Sequence, residues 1–270
     1  MPTQAYVHGY RPREGARLHD QASTLVDLLH SDTRYREGSR VLEAGCGVGA
    51  QTVTLARNSP DAQFTCIDIS QASVEEAERR AVAEGLANVC FQQADVFDLP
   101  FRPGSCDHVF VCFVLEHLVQ PVEALKALGK MLKAGGTITV IEGDHGSAYF
   151  HPDSEAANKA IQCQVELQRR AGGNANIGRE LHPLLNEAGF QSVCVSPLAV
   201  YADWSRQEMV EGFTRKTFTA MIEGVRESAL AAGMIDAEAF DRGIADLYRT
   251  AEPDGVFNYT FFKAIAKGSE

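Results

Sequence analysis

The sequence predicts an α/β fold built on a parallel sheet with helices on both faces. Between Arg40 and Glu142, short apolar runs alternate with helix-like segments. Strands that are apolar throughout and separated by helices are buried on both faces, which is the pattern of a parallel sheet. The first run ends in a glycine-rich turn, Gly45-Cys46-Gly47-Val48-Gly49, and the second ends in Asp68, 23 positions after Gly45.

The first strand is expected near Val41–Ala44, with its helix from about Ala50 to Asn58, ended by Ser59-Pro60-Asp61. The second strand is expected near Phe64–Ile69. The helix after it, near Ala72–Glu84, buries a stripe of Val74, Ala77, Ala81 and Val82, turns Glu75, Glu76, Glu78 and Arg79 to water, and stops at Gly85. Val89–Gln93 and Asp107–Cys112 read as strands three and four, Val122–Leu132 as a helix, and Thr137–Glu142 as strand five. The pattern then changes. Pro152–Arg170 and Gly178–Ala188 read as helices, Gln191–Ser196 and Tyr259–Ala266 as strands, and Trp204–Tyr248 as largely helical. Phe257-Asn258-Tyr259-Thr260-Phe261-Phe262 is strongly strand-forming and is expected to pair antiparallel. A helix-like stretch, Glu14 to His30, precedes the first strand.

The glycine turn and Asp68 point to a ligand. A buried strand that ends in glycines just before a helix lets a ligand approach bare backbone. An acidic side chain at the end of the second strand can accept hydrogen bonds from both hydroxyls of a ribose. Together they imply a nucleoside cofactor.

Composition narrows the partner. With 25 basic and 36 acidic side chains the net charge is -11, and Lys and Arg are scattered, so a phosphate backbone is repelled and nucleic acid is not expected. The longest apolar runs are too short to span a bilayer, so no membrane partner is expected. The start of the chain lacks a basic segment followed by an apolar block, which predicts a cytoplasmic protein. The seven cysteines include no Cys-x-x-Cys pair, and the eight histidines no His-x-x-x-His, so no metal site is expected.

The motifs resemble those of class I S-adenosylmethionine-dependent methyltransferases. Val41-Leu42-Glu43-Ala44-Gly45-Cys46-Gly47-Val48-Gly49 matches the family's acidic-x-Gly-x-Gly-x-Gly motif, and Asp68 its ribose acid. Gln93-Ala94-Asp95-Val96 matches the segment beside the adenine. Phe101–Val109 resembles the approach to strand four, and Leu115-Glu116-His117-Leu118 its exit. Leu132-Lys133-Ala134-Gly135-Gly136-Thr137 matches the turn before strand five, with Ala134 where the family often has proline. These matches cover Ser39 to Glu142 in the family's order. Within the superfamily the style is similar to the ubiquinone-biosynthesis group, whose members modify small molecules.

The resemblance implies a Rossmann-like, seven-stranded, mostly parallel sheet with a reversed last strand. It implies a helical N-terminal cap over residues 1–38 and a core over 39–197 and 257–270, interrupted by an insertion at 143–177. Residues 198–256 would form a helical lid or a dimerisation insertion, and a homodimer is one expectation. The cofactor would be S-adenosylmethionine and the acceptor a small molecule. Gly45, Cys46, Gly47 and Gly49 would line the methionine part through their peptide groups, and Glu43 would attract its ammonium. Asp68 would bind the ribose, Ile69 would pack on the adenine, and Asp95 would accept from its amino group with Val96 donating its backbone N–H, although Asp95 also reads as a helix or turn cap. Cys112, at the end of strand four, belongs to the cofactor wall. Tyr10 and Gln21, with Arg17, could reach the methionine carboxylate or simply face solvent.

Transfer from a sulfonium needs positioning and exclusion of water, and a base only where the acceptor must lose a proton. His145 is the first candidate base, because Gly143 and Gly146 flank it in a polar segment after strand five and its ordinary pKa lies near neutrality. It also reads as a loop or cap residue. His117 is a second candidate, with capping or wall packing as its other reading. Tyr149 could orient substrate or form a lid contact, as could His151. Arg179, Tyr201, Trp204, Phe213 and Phe218 would roof a flat or apolar acceptor, or pack as ordinary helix residues. Two rival readings remain. Gly45-x-Gly47-x-x-Ala50 also satisfies a looser dinucleotide fingerprint, as in an NAD-dependent oxidoreductase, and a catalytically silent S-adenosylmethionine-binding protein would have the same core.

Overall fold

A computed structural model of the chain describes residues 24–269. Seven strands form one sheet: β1 (Arg40–Ala44), β2 (Gln63–Asp68), β3 (Val89–Gln93), β4 (Cys106–Cys112), β5 (Leu132–His151), β6 (Gln191–Asp203) and β7 (Val256–Lys267), in the order β3-β2-β1-β4-β5-β7-β6. The pairs β1–β2, β1–β4, β2–β3 and β4–β5 are parallel. Strand β7 is reversed: Thr260 N–H donates to Ser147 Oγ and Asn258 faces the Tyr149 carbonyl, so numbers rise on one strand as they fall on the other. The sheet has the seven strands and the reversed last strand that the resemblance implies.

The chain groups into two compact units. The first holds Val26–Glu142, Ile177–Pro197 and the chain from Phe262 onward. Its sheet core is Leu42, Ala44, Val109, Val111, Ile138 and Val140, all nearly or fully shielded from water. Each of the Leu, Val and Ile side chains contributes about 1.5–3 kcal/mol of burial free energy. The helices of this unit are α1 (described over 24–30), α2 (Ala50–Asn58), α3 (Gln71–Ala83), α4 (Pro121–Gly129) and α6 (Leu181–Glu187). Ser70 caps α3 by accepting from Ser73 N–H, and Val74, Ala77 and Ala81 are buried as expected. Val82 is not: it is 75% exposed, because the helix presents only three of the four expected positions to the sheet.

The second unit contains Gly143–Asn176 and Leu198–Phe261. Helices α5 (Glu155–Arg170) and α10 (Ala237–Arg249) pack closely, and a Cβ at Gly243 would collide with the Ala156 carbonyl. The helical stretch expected over Trp204–Tyr248 is broken into α7 (Gln207–Met209), a ten-residue π-helix (Val210–Thr219), α8 (Ala220–Gly224), α9 (Arg226–Ala231) and α10.

Strand five is much longer than the expected Thr137–Glu142. The polar run Gly143–His151 continues as strand because β7 lies beside it and takes up its backbone and side-chain groups. His145 therefore sits in a strand and not in a loop.

Candidate functional site

The carboxyl ends of β1 to β4 gather most of the expected residues, where ligands of open α/β sheets bind. Gly45, Gly47 and Gly49 all have left-handed backbones, with φ of 75°, 52° and 76°. Only two of them are packed. A Cβ at Gly45 would collide with the Val114 side chain, and one at Gly49 would press on Ala77, whereas Gly47 faces open space. The loop thus closes against its neighbours at both ends and leaves its middle clear for a ligand.

Three of its N–H groups are already engaged between β1 and β2. Gly45 and Cys46 both donate to the Ile67 carbonyl, at 2.8 and 2.9 Å, and Gly47 donates to Asp68 Oδ2 at 2.9 Å. These donors tie β1 to β2 and orient Asp68. The second carboxylate oxygen, Oδ1, accepts from Ser70 N–H at 2.9 Å. Burial raises the Asp68 carboxyl above its usual range, against those backbone donors. A carboxylate fixed at both oxygens keeps further lone pairs for a ribose diol.

Glu43 is buried on β1, and its Oε2 accepts from Thr52 Oγ1 at 2.7 Å. Burial pushes its carboxyl up to about 7, with the Thr52 and Cys66 hydrogen bonds pulling the other way. Cys46 and Cys112 are buried, and burial raises both thiols far above the ordinary value, which keeps them protonated.

On the adenine side, Ile69 is 50% and Phe97 45% exposed, with Val96 half-buried between them in sequence. Gln93 Nε2 donates to the Ile69 carbonyl at 2.9 Å and steadies that turn. Asp95 is exposed, and its Oδ1 accepts from Phe97 N–H at 2.9 Å. One oxygen of Asp95 therefore does cap a turn.

Sequence reasoning missed Glu142. At the exit of β4, Phe113 adopts a left-handed φ of 58° and turns the chain into a 3-10 turn, Leu115–His117. Val114 and Leu115 N–H both donate to Glu142 Oε1, at 3.0 and 2.7 Å. The fully buried Glu142 so positions the same Val114 that walls Gly45. Burial first, and the Glu116 charge second, raise its carboxyl well above the ordinary range. The only sequence signal was an acidic residue closing an apolar strand. His117 is half-buried, with its Nε2 at 3.6 Å from Glu116 Oε1.

His145 and Tyr149 belong to the second unit. His145 is 6% exposed. Its N–H donates to the Ala175 carbonyl at 3.0 Å, and its Nδ1 lies 2.9 Å from Tyr259 Oη. Tyr149 is 66% exposed. Tyr10, Arg17 and Gln21 lie outside the described residues. Among the described residues, no cluster of His, Cys, Asp and Glu could hold a metal ion, and no helix is long and apolar enough to cross a membrane. A cavity of about 320 Å³ opens at the amino ends of β1, β2 and β4, lined by Arg40, Gln63, Ser105 and Phe101. It contains none of the residues above and is not the cofactor site.

A family model described as a methyltransferase domain matches residues 42–140, the segment that holds this glycine turn, Asp68 and the β4 exit. Residues 42–140 form a methyltransferase domain. Relatives agree. The methyltransferase domain and its surroundings are 28% identical over 231 residues to 27-O-demethylrifamycin SV methyltransferase of Amycolatopsis mediterranei, covering 83% of this chain and 76% of that protein. An uncharacterized 37.1 kDa protein in transposon TN4556 of Streptomyces fradiae is 32% identical over 228 residues, covering 83% of this chain. The chain spans 61% of the length of that relative. Among solved structures, phosphoethanolamine N-methyltransferase 2 of Haemonchus contortus superposes with a TM-score of 0.60 at 18% identity, covering 96% of this chain and 59% of that one. It was solved with phosphomonomethylethanolamine and S-adenosylhomocysteine, and the likeness to it is one of fold. The cofactor that the motif resemblance implies is S-adenosylmethionine. The residues fit it: an open Gly47, an oriented Asp68, a buried carboxylate at Glu43 and exposed apolar surface at Ile69 and Phe97.

Proposed function

We propose that the protein transfers a methyl group from S-adenosylmethionine to an oxygen, nitrogen or carbon atom of a small molecule. The observation that carries this reading is the Asp68 carboxylate, held by Gly47 and Ser70 N–H beside a glycine that leaves its Cβ position empty. Asp68 holds the ribose hydroxyls, Ile69, Val96 and Phe97 shield the adenine faces, and Glu43 compensates the methionine ammonium. When bound, S-adenosylmethionine supplies a methyl carbon activated by its sulfonium. The chain's task is then to position the acceptor, exclude water and accept a proton.

His145 is the group we assign to the proton, at Nε2, for an acceptor that must lose one. Exposed Tyr149, Tyr201 and Trp204 support a flat or apolar acceptor, for which they offer stacking surface. His117 orients the β4 exit in this reading. The cap expected over residues 1–38 lies largely outside the described residues, and 198–256 act as a lid or dimer contact. The net charge of -11 supports a small-molecule acceptor over nucleic acid, and a cytoplasmic location fits the composition.

The test is transfer of radiolabelled methyl from S-adenosylmethionine to a panel of phenols, amines and polyketide-like hydroxyl compounds. Label in an extracted acceptor with stoichiometric S-adenosylhomocysteine is expected. Tight donor binding with no transfer to any acceptor would favour a silent binding protein instead.

A further inference from the structure

We propose that Tyr259 is a positioning residue that fixes the tautomer of His145, so that Nδ1 carries the proton and Nε2 presents its lone pair. The proposal rests on the reading of His145 as the base. The two side chains come from different strands, β5 and β7, and meet in the buried part of the second unit with Tyr259 Oη 2.9 Å from His145 Nδ1. The hydrogen bond made by one imidazole nitrogen decides the state of the other. A phenol oxygen that accepts from Nδ1–H leaves Nε2 unprotonated, and it still accepts from Nδ1–H once Nε2 has taken a proton. One contact therefore serves the ring before and after proton transfer.

The surroundings hold both rings in place. Gly143, two residues before His145, has no side chain where a Cβ would strike the Tyr259 hydroxyl. On the main chain, His145 is pinned by its bond to the Ala175 carbonyl. The π-helix completes the enclosure. Phe213 and Phe218 both lie 5.5 Å from the Tyr259 ring, and Phe218 lies 6.2 Å from His145. They are five residues apart. In an α-helix of 3.6 residues per turn they would point about 140° apart. The wider i-to-i+5 winding of a π-helix brings them to one face, and Thr217 Oγ1 bonds the Gly212 carbonyl at that same spacing, 2.7 Å away. The irregular winding thus has a purpose: it lays two phenyl rings against the phenol that holds the histidine.

The test is the ¹⁵N spectrum of the imidazole rings in the full chain, uniformly labelled and saturated with S-adenosylhomocysteine. His145 is assigned by its loss in His145→Asn. In the wild type we expect Nδ1 to be of N–H type and Nε2 of lone-pair type. Tyr259→Phe should abolish that single state for His145 and leave the other histidines unchanged. It should also lower methyl transfer by about ten- to a hundredfold, by analogy with partners that orient metal-bound histidines. A wild-type ring protonated at Nε2 overturns the proposal, and this needs no variant that must fold. An identical His145 tautomer in Tyr259→Phe also overturns it. Failure of the base reading looks different: His145→Asn would then retain full methyl transfer while the tautomer result stood.

Discussion

Gly47 donates its backbone N–H to Asp68 Oδ2 at 2.9 Å, so the glycine turn and the ribose acid are one structure. The turn gives up a donor that could have reached a ligand, and gains a carboxylate held at a fixed angle. Neighbouring Gly45 and Gly47 consequently answer to different constraints, packing at one and open space at the other.

This difference predicts opposite outcomes for two substitutions. Gly45→Ala should destabilise the fold by about 2–4 kcal/mol, because left-handed strain adds to a collision with Val114. Gly47→Arg should cost about 1–2 kcal/mol from strain alone, yet abolish donor binding by filling the clear space. Urea titration and calorimetry on both variants check this. Equal stability losses would contradict the packing account.

A pH prediction follows from two buried groups of opposite behaviour. The Glu43 carboxyl is raised from 4.5 to about 7, so the folded state holds a proton that the unfolded state releases above 4.5. Stability attributed to Glu43 therefore falls as pH rises from 4.5 to 7. The shift of 2.5 corresponds to about 3 kcal/mol. His30 is lowered by burial from 6.5 to about 4, so the unfolded state binds the extra proton, and stability rises with pH from 4 to 6.5. Urea unfolding of Glu43→Gln and His30→Gln across pH 4.5–7.5 should give difference curves of opposite slope. Curves of the same sign would contradict the assignments.

Lys263 on β7 predicts a stability effect without a catalytic one. Its buried ammonium donates to the Leu29 carbonyl at 3.0 Å, to Thr33 Oγ1 at 2.7 Å, and to Asp32. Lys263→Met would strand the first two acceptors and should cost about 2–4 kcal/mol. Donor affinity measured below the new melting range should stay within about threefold. A large affinity loss would contradict a purely structural role.

Much of the first unit was legible because its signals are local. The alternation of apolar runs and helical stripes gave β1 to β4 within one residue at most ends, and the spacing of Gly45 and Asp68 gave the ligand class. What could not be read depends on partners far along the chain. Gly143–His151 looks like a polar loop until β7, more than a hundred residues later, covers it. Glu142 looks like a strand end until Phe113 adopts its left-handed turn and offers it two N–H groups. The π-helix has no signature beyond Phe213 and Phe218 at a spacing of five, which only the bulged winding turns into a shared face.

The α5–α10 contact of the second unit predicts a further effect. Gly243→Val would drive a branched side chain into the Ala156 carbonyl and should lower the melting temperature by several degrees. Hydrogen exchange should quicken in α5 and α10 and remain unchanged in β1 to β4. Uniform loss of protection would contradict the division into two units.

The central claim is that Asp68, oriented by Gly47 and Ser70, grips the ribose of S-adenosylmethionine. Isothermal titration of the donor into wild-type protein and Asp68→Ala tests it most directly. The account predicts a saturable one-to-one heat for the wild type, at least about a hundredfold weaker or undetectable in the variant, with both proteins folded by circular dichroism. Wild-type affinity in Asp68→Ala, or no heat from folded wild type, would contradict it.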